Sequence, residues 1–264
     1  NIGNIRTATR QFSPGGQYRY EGEGNQQTGD GLPAELAGLS VDKASGSLSL
    51  SGHVLVTGTL GLYAGRILSG DAGMLTLRGA AIESPGNGYG QPNNGWEGSF
   101  VDGPLRWESS EALAQVLPVG RGDVFAPVGI TRQKTGLATF TVAYHPQAHA
   151  AAGPIAQPPL ERVSRLEYWT ISAEAAGADA EARVALSWRP GSGVGGNAAA
   201  EADLRIAQYT DRGAGVRWEP LGTTPLIRPG QGHGWIESNV AATGFSDFTL
   251  ASGSNLNILP LESI

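Results

Sequence analysis

The sequence predicts an all-β fold, with a short N-terminal parallel β-solenoid followed by an antiparallel β-sandwich. Three observations predict it. Several runs alternate apolar and polar residues with period two, the mark of strands with one buried face. No segment keeps a 3.6-residue apolar period for more than about two turns. Within the first third, short apolar groups separated by Gly, Ser and Thr recur at intervals of 20 or 21 residues.

That recurrence defines the first element. LSV (39–41) precedes LGL (60–62) by 21 residues, and AAI (80–82) follows it by 20. Setting VLVTGTLGL (54–62) above MLTLRGAAI (74–82) aligns apolar residues at the first, second, seventh and ninth places. Each such rung buries its inward residues only by stacking on the next. A stack of about two to three rungs is near the minimum for stability, so both ends need covers. The competing arrangement is a meandering antiparallel sheet. PGNGYGQPNNGWEG (85–98) is rich in turn formers and reads as a linker, which closes a first domain at residues 1–98.

A sandwich is expected over 99–252. LATFTVAYH (137–145) puts Phe140, Val142 and Tyr144 on one face, and RVALSWRP (183–190) does the same with Val184, Leu186 and Trp188. RLEYWTIS (165–172) and DLRIAQY (203–209) complete the set, and HPQAHAAAGPIAQPP (145–159) reads as a long loop between them. Residues 253–264 form a polar hinge and an apolar, strand-capable tail.

Composition excludes several functions. The net charge is −6 and no basic run exists to follow phosphates, so no nucleic-acid partner is expected. Nothing approaches 18 consecutive apolar residues, so no membrane insertion is expected. There is no cysteine, hence no disulfide and no thiolate metal site. The chain opens at Asn1 with neither Met nor a signal-like segment, as a trimmed product would. The excess of Arg over Lys fits genomic base composition better than a hot habitat.

The motifs point away from catalysis. Arg121-Gly122-Asp123 spells an adhesion tag, but Gly120 and Gly122 around Arg121 fit a tight hairpin. GSGVGG (191–196) matches a dinucleotide fingerprint in spacing, yet the neighbouring segments read as antiparallel strands rather than βαβ units. His145 and His149 are four apart with Pro146 between them, and no third ligand is evident, so both are expected in solvent. Asp102, Glu108, Glu111 and Asp123 form the densest acidic group without suggesting a hydrolytic pair. No catalytic, cofactor-binding or metal residue is assigned, and no cofactor is expected. Tyr89, Trp96 and Trp107 cluster near the expected domain junction, where they either fill it or form a platform for sugars.

A family resemblance rests on FVDGPLRW (100–107), LPVGRGDVFAPVGI (117–130), RLEYWTIS (165–172), DLRIAQY…WEPLG (203–222) and GFSDFTL (244–250). Together they resemble secreted, adhesin-like surface proteins of Bacteroidota-type bacteria, in which a rung-forming segment precedes a β-sandwich. NILPLESI (257–264) looks like the junction that leads, in those proteins, to a cleavable C-terminal sorting domain for type IX secretion. The resemblance implies an extracellular or cell-surface location and transfers no catalytic residue.

The expectation is therefore a non-enzymatic extracellular structural or adhesive protein that assembles into a surface fibre by strand addition through its termini. Ile2, Ile5, Leu256, Ile258 and Leu261 are the candidate self-assembly residues, and the partner is another copy of the chain. The alternative is a carbohydrate-binding module that uses Tyr89, Trp96 and Trp107 on surface glycans.

Overall fold

The computed structural model describes residues 12–83, 99–153, 157–175, 180–211, 215–222, 226–227, 233–254 and 256–257. The fold is nearly all β, as expected. Its first strands are β1 (Gln17–Glu21), β2 (Gln26–Gln27), β3 (Glu35–Ser49), β4 (Val54–Leu68), β5 (Leu75–Arg78) and β6 (Ala81–Glu83). β7 (Ser99–Asp102), β8 (Leu105–Ser109), β9 (Ala114–Leu117), β10 (Val119–Arg121), β11 (Val124–Phe125) and β12 (Val128–Arg132) follow. Then come β13 (Ala138–His145), β14 (Arg162–Val163), β15 (Tyr168–Ala175), β16 (Ala182–Trp188) and the short helix α1 (Ala198–Asp203). β17 (Leu204–Asp211), β18 (Val216–Pro220), β19 (Leu226–Ile227), β20 (Gly234–Glu237) and β21 (Asp247–Ser252) close the order.

The N-terminal pairs are parallel, which decides for the solenoid against the meander. β1 and β2 both pair with β3, β3 pairs with β4, and β4 pairs with β5, β6 and β7, all parallel. Like residues stack on like across β3 and β4: Leu36 on Val56, Leu39 on Leu60, Val41 on Leu62 and Leu48 on Ile67. All eight side chains are fully buried. The 21-residue offset expected between LSV and LGL is the observed register. The offset of 20 expected for the next rung is not. Val54 faces Leu75, an offset of 21, and Leu60 faces Ile82, an offset of 22. A one-residue slip exchanges the two faces of a strand, so burial of Leu75 and Leu77 selects the longer offset.

Stacking does not stop at the expected boundary after residue 98. β7 continues β4 in parallel, β10 continues β7, and β8 continues β5. The linker expected at 85–98 lies outside the described residues; the strands on either side of it stack in parallel on one another. The direction changes one strand later, where β13 joins β8 antiparallel and leads on to β15, β21, β17 and β18.

A second antiparallel sheet, in the order β19-β20-β16-β12-β9, supplies the opposing layer. Val184 and Leu186 of β16 join the main core, while Ala185 turns to a smaller cluster with Phe100, Val116, Phe125 and Trp235. β16 is thus covered on both faces, whereas β13 keeps the strict alternation of a strand with one buried face. One main core runs from Leu36 in the solenoid to Leu250 in the last strand.

Candidate assembly edge and surface clusters

β1 is an end strand. Its register with β3 runs from Gln17 opposite Gly38 to Glu21 opposite Asp42, and among the described residues no strand pairs with its other side. Alternate peptide groups of such a strand point outward and invite another strand. Tyr18 and Tyr20 turn inward and pack half-buried against the core. Burial, reinforced by the neighbouring Tyr18, pushes the Tyr20 hydroxyl above its ordinary range, so it stays protonated. Arg19 faces out, pairing with Glu21 and Asp42 and lying 5.7 Å over the Tyr63 ring. β18 ends the strand order on the antiparallel side, far along the sheet from β1, and its edge is less open. The Gln157 N–H donates to the Trp218 carbonyl at 3.3 Å, and Pro220 has no amide hydrogen to offer.

The tail is fastened to its own chain at its root. Asn257 is fully buried, its Oδ1 accepting from Gly195 N at 3.1 Å and its Nδ2 donating to the Ala200 carbonyl at 2.8 Å. This gives GSGVGG a role unrelated to nucleotides. A Cβ at Gly195 would come within 2.6 Å of the Ala200 methyl, so the loop packs as tightly as it does only with glycine there. α1 is six residues long and runs into the antiparallel strand β17. Leu256, next to the anchor, is 51% exposed. Ile2, Ile5, Ile258 and Leu261 lie outside the described residues, as do Tyr89 and Trp96.

Trp107 is no sugar platform. It is 3% exposed, sits on Leu77 in the rung below, and stacks on Phe140 with ring centroids 5.7 Å apart. The reason is parity: in β8, Leu105 and Trp107 share the face that meets Leu75 and Leu77. Arg121-Gly122-Asp123 forms a hairpin tip between β10 and β11, with Arg121 opposite Val124 and Gly122 at φ 58°. Its ends are engaged within the chain. Asp123 pairs with Arg66 and Arg121 approaches Asp102 at 3.7 Å, while Gly122 N donates to Asp102 at 3.1 Å. Glu108 pairs with Arg78, so three of the four carboxylates singled out in the sequence are each held by a different arginine.

The two histidines are packed, contrary to the expectation of solvent exposure. His145 stacks on Tyr168 with centroids 4.4 Å apart. Thr170 donates to Asp247 at 2.7 Å, so its hydroxyl oxygen accepts from His145 Nε2 at 3.1 Å. His149 Nδ1 accepts from Ala151 N at 3.1 Å, which leaves Nε2 to donate to Asp247 at 2.9 Å. The rings of Tyr168, Tyr209 and Trp218 surround His149 at 4.6 to 5.1 Å. These contacts strap the loop after β13 to the outer face of the sheet, where Ala152, Leu160 and Val163 cover Ala207, Trp218 and Ala251. Burial lowers the pKa of His145 below its ordinary 6.5; Arg121 and His149 act in the same direction and Asp247 opposes them. The residues that complete the cluster come from four other strands, so spacing around the histidines carried no signal of them.

A buried ion pair lies on the inner side. Arg189 reaches Glu167 at 2.6 Å, and Tyr144 donates to the same carboxylate oxygen at 2.8 Å. Burial and the Glu167 charge push the Tyr144 hydroxyl far above its ordinary range. Among the described residues no group of three His, Asp or Glu side chains is arranged to hold a metal ion, and no helix is long and apolar enough to cross a membrane. No protein-family model, curated protein or solved structure matches the chain.

Proposed function

We propose that this chain is a non-enzymatic structural or adhesive protein of the cell exterior, whose copies join head to tail by strand addition. One observation carries the reading: among the described residues β1 has an open edge, and the tail is anchored by Asn257 beside the loop that leads into β17, near the β18 end of the sheet. Two different surfaces that complement each other make a heterologous contact, and such a contact gives an open polymer unless the rotation closes it. The apolar residues that continue beyond the anchor, Ile258 and Leu261, are the segment offered to the neighbour's β1, where Tyr18 and Tyr20 give it an aromatic ledge. The extracellular location and export by type IX secretion rest on the sequence resemblance. The glycan-platform alternative is not carried forward, because Trp107 faces the core.

The test removes residues 258–264 and keeps Asn257, so that the cis anchor survives. Sedimentation velocity over a range of concentrations is expected to show polymers of the full chain and folded monomers of the shortened one. Polymers that persist without these residues rule out the tail as the joining segment.

A further inference from the structure

A polar pocket of about 370 Å³ opens at one corner of the solenoid, lined by residues that include Asn25, Lys43, Ser45, Ser47 and Arg66. Local irregularity builds it. The register between β3 and β4 jumps from Asp42 opposite Ala64 to Ser47 opposite Arg66, so residues 43–46 bulge out of the ladder. Gly65, at φ 79°, admits the bulge, since a Cβ there would meet Lys43 Cβ at 2.8 Å. Gly46, at φ 84°, closes it against Gly24, whose carbonyl carbon a Cβ would meet at 2.5 Å.

Cationic and amide side-chain donors gather in this pocket. Lys43 is 1% exposed, yet its ammonium has one partner, Gln26 Oε1 at 3.1 Å, and no carboxylate among the described residues. A buried ammonium normally has its charge paired and its hydrogens bonded. Arg66 lies 5.2 Å over the Phe100 ring, and among the described residues its carboxylate partner is Asp123, whose side chain is 95% exposed. Asn25 spends its oxygen on the Ser47 amide and hydroxyl, leaving its NH₂ group as a donor, and Ser45 Oγ accepts from Gly24 N and keeps its hydrogen. Among the described residues no Asp or Glu lines the pocket, although the chain carries a net charge of −6.

We infer that this pocket binds an anionic oxygen group, a carboxylate or a sulfate, between Arg66 and the corner that holds Lys43. The inference is independent of self-assembly. A planar guanidinium takes two oxygens of such a group side by side, and the ammonium behind it supplies a fixed charge. The group enters by replacing Asp123 on Arg66.

The experiment titrates the ¹⁵N-labelled full chain with sodium sulfate, and separately with sodium glucuronate, at ionic strength held constant with chloride. Saturable shifts of the Ser45–Ser47 and Gly65–Arg66 amides are expected, with Arg66→Gln raising the apparent Kd at least tenfold and Asp123→Asn lowering it. Saturation by sulfate alone assigns a sulfate ester, and saturation by glucuronate alone assigns a carboxylate. Lys43→Gln should also weaken binding, and if that variant does not fold, Arg66→Gln and Asp123→Asn still decide. Shifts that never saturate with either anion, or that are unchanged in Arg66→Gln, overturn the inference.

Discussion

Replacing Trp107 by Ala tests whether the solenoid and the sandwich share one core. Trp107 belongs to a buried column that crosses five strands: Leu36, Val56, Leu77, Trp107 and Phe140 are successive register partners. A buried Trp removes about 200 Å² from water, worth about 5 kcal/mol at ~25 cal/mol per Å². The stacked pair with Phe140 adds about 1 kcal/mol. Relaxation around the cavity and a compact denatured chain take part of this back, leaving a loss of about 4 kcal/mol. For a chain of this size that lowers Tm by about 8 °C. Thermal unfolding followed by far-ultraviolet circular dichroism and by tryptophan fluorescence should give one transition with both probes, displaced downward together. An unchanged Tm would refute the buried column. A shift in one of two separate transitions would refute the shared core.

Three further outcomes follow. Asn257→Ala leaves Gly195 N–H and the Ala200 carbonyl without their partner and should cost about 1–3 kcal/mol, read as a lower urea midpoint at unchanged slope. Arg189→Met strands the Glu167 carboxylate, which is 1% exposed, and should cost about 3–5 kcal/mol, with much of the loss recovered when Glu167→Gln is added. Because the folded pKa of His145 lies below 6.5, its contribution to stability is complete above 6.5 and is lost as pH falls from 6.5 through the folded value. Urea midpoints at several pH values should therefore fall less steeply on acidification for His145→Gln than for the parent chain, and equal slopes would contradict the assignment.

The strands were legible because burial on one face writes itself into alternation. Phe140, Val142 and Tyr144 all point inward as their spacing requires. The rung offset was legible where like stacks on like, as with Leu39 on Leu60, and failed by one or two residues where β5 and β6 share β4 as a partner. Composition at 85–98 carried no sign that β7 and β8 would pair in parallel with β4 and β5, since such pairing is set by residues far apart in sequence. The histidine cluster and the tail anchor were hidden for the same reason. His149 and Asp247 are 98 residues apart, and Asn257 meets Gly195 across 62, so only the fold brings these partners together. The Lys43 pocket was hidden too, because the bulge at residues 43–46 leaves no periodic trace.

The most direct test of head-to-tail joining is electron microscopy of the purified chain beside its Arg19→Pro variant. Proline in β1 removes an amide hydrogen and blocks the approach of a second strand, while β3 remains buried beneath it. Head-to-tail joining predicts unbranched filaments of the parent chain with one copy per axial step, and dispersed particles of the variant with the same circular dichroism spectrum. Dispersed single particles of the parent chain at high concentration, or filaments equally abundant in both, would contradict it.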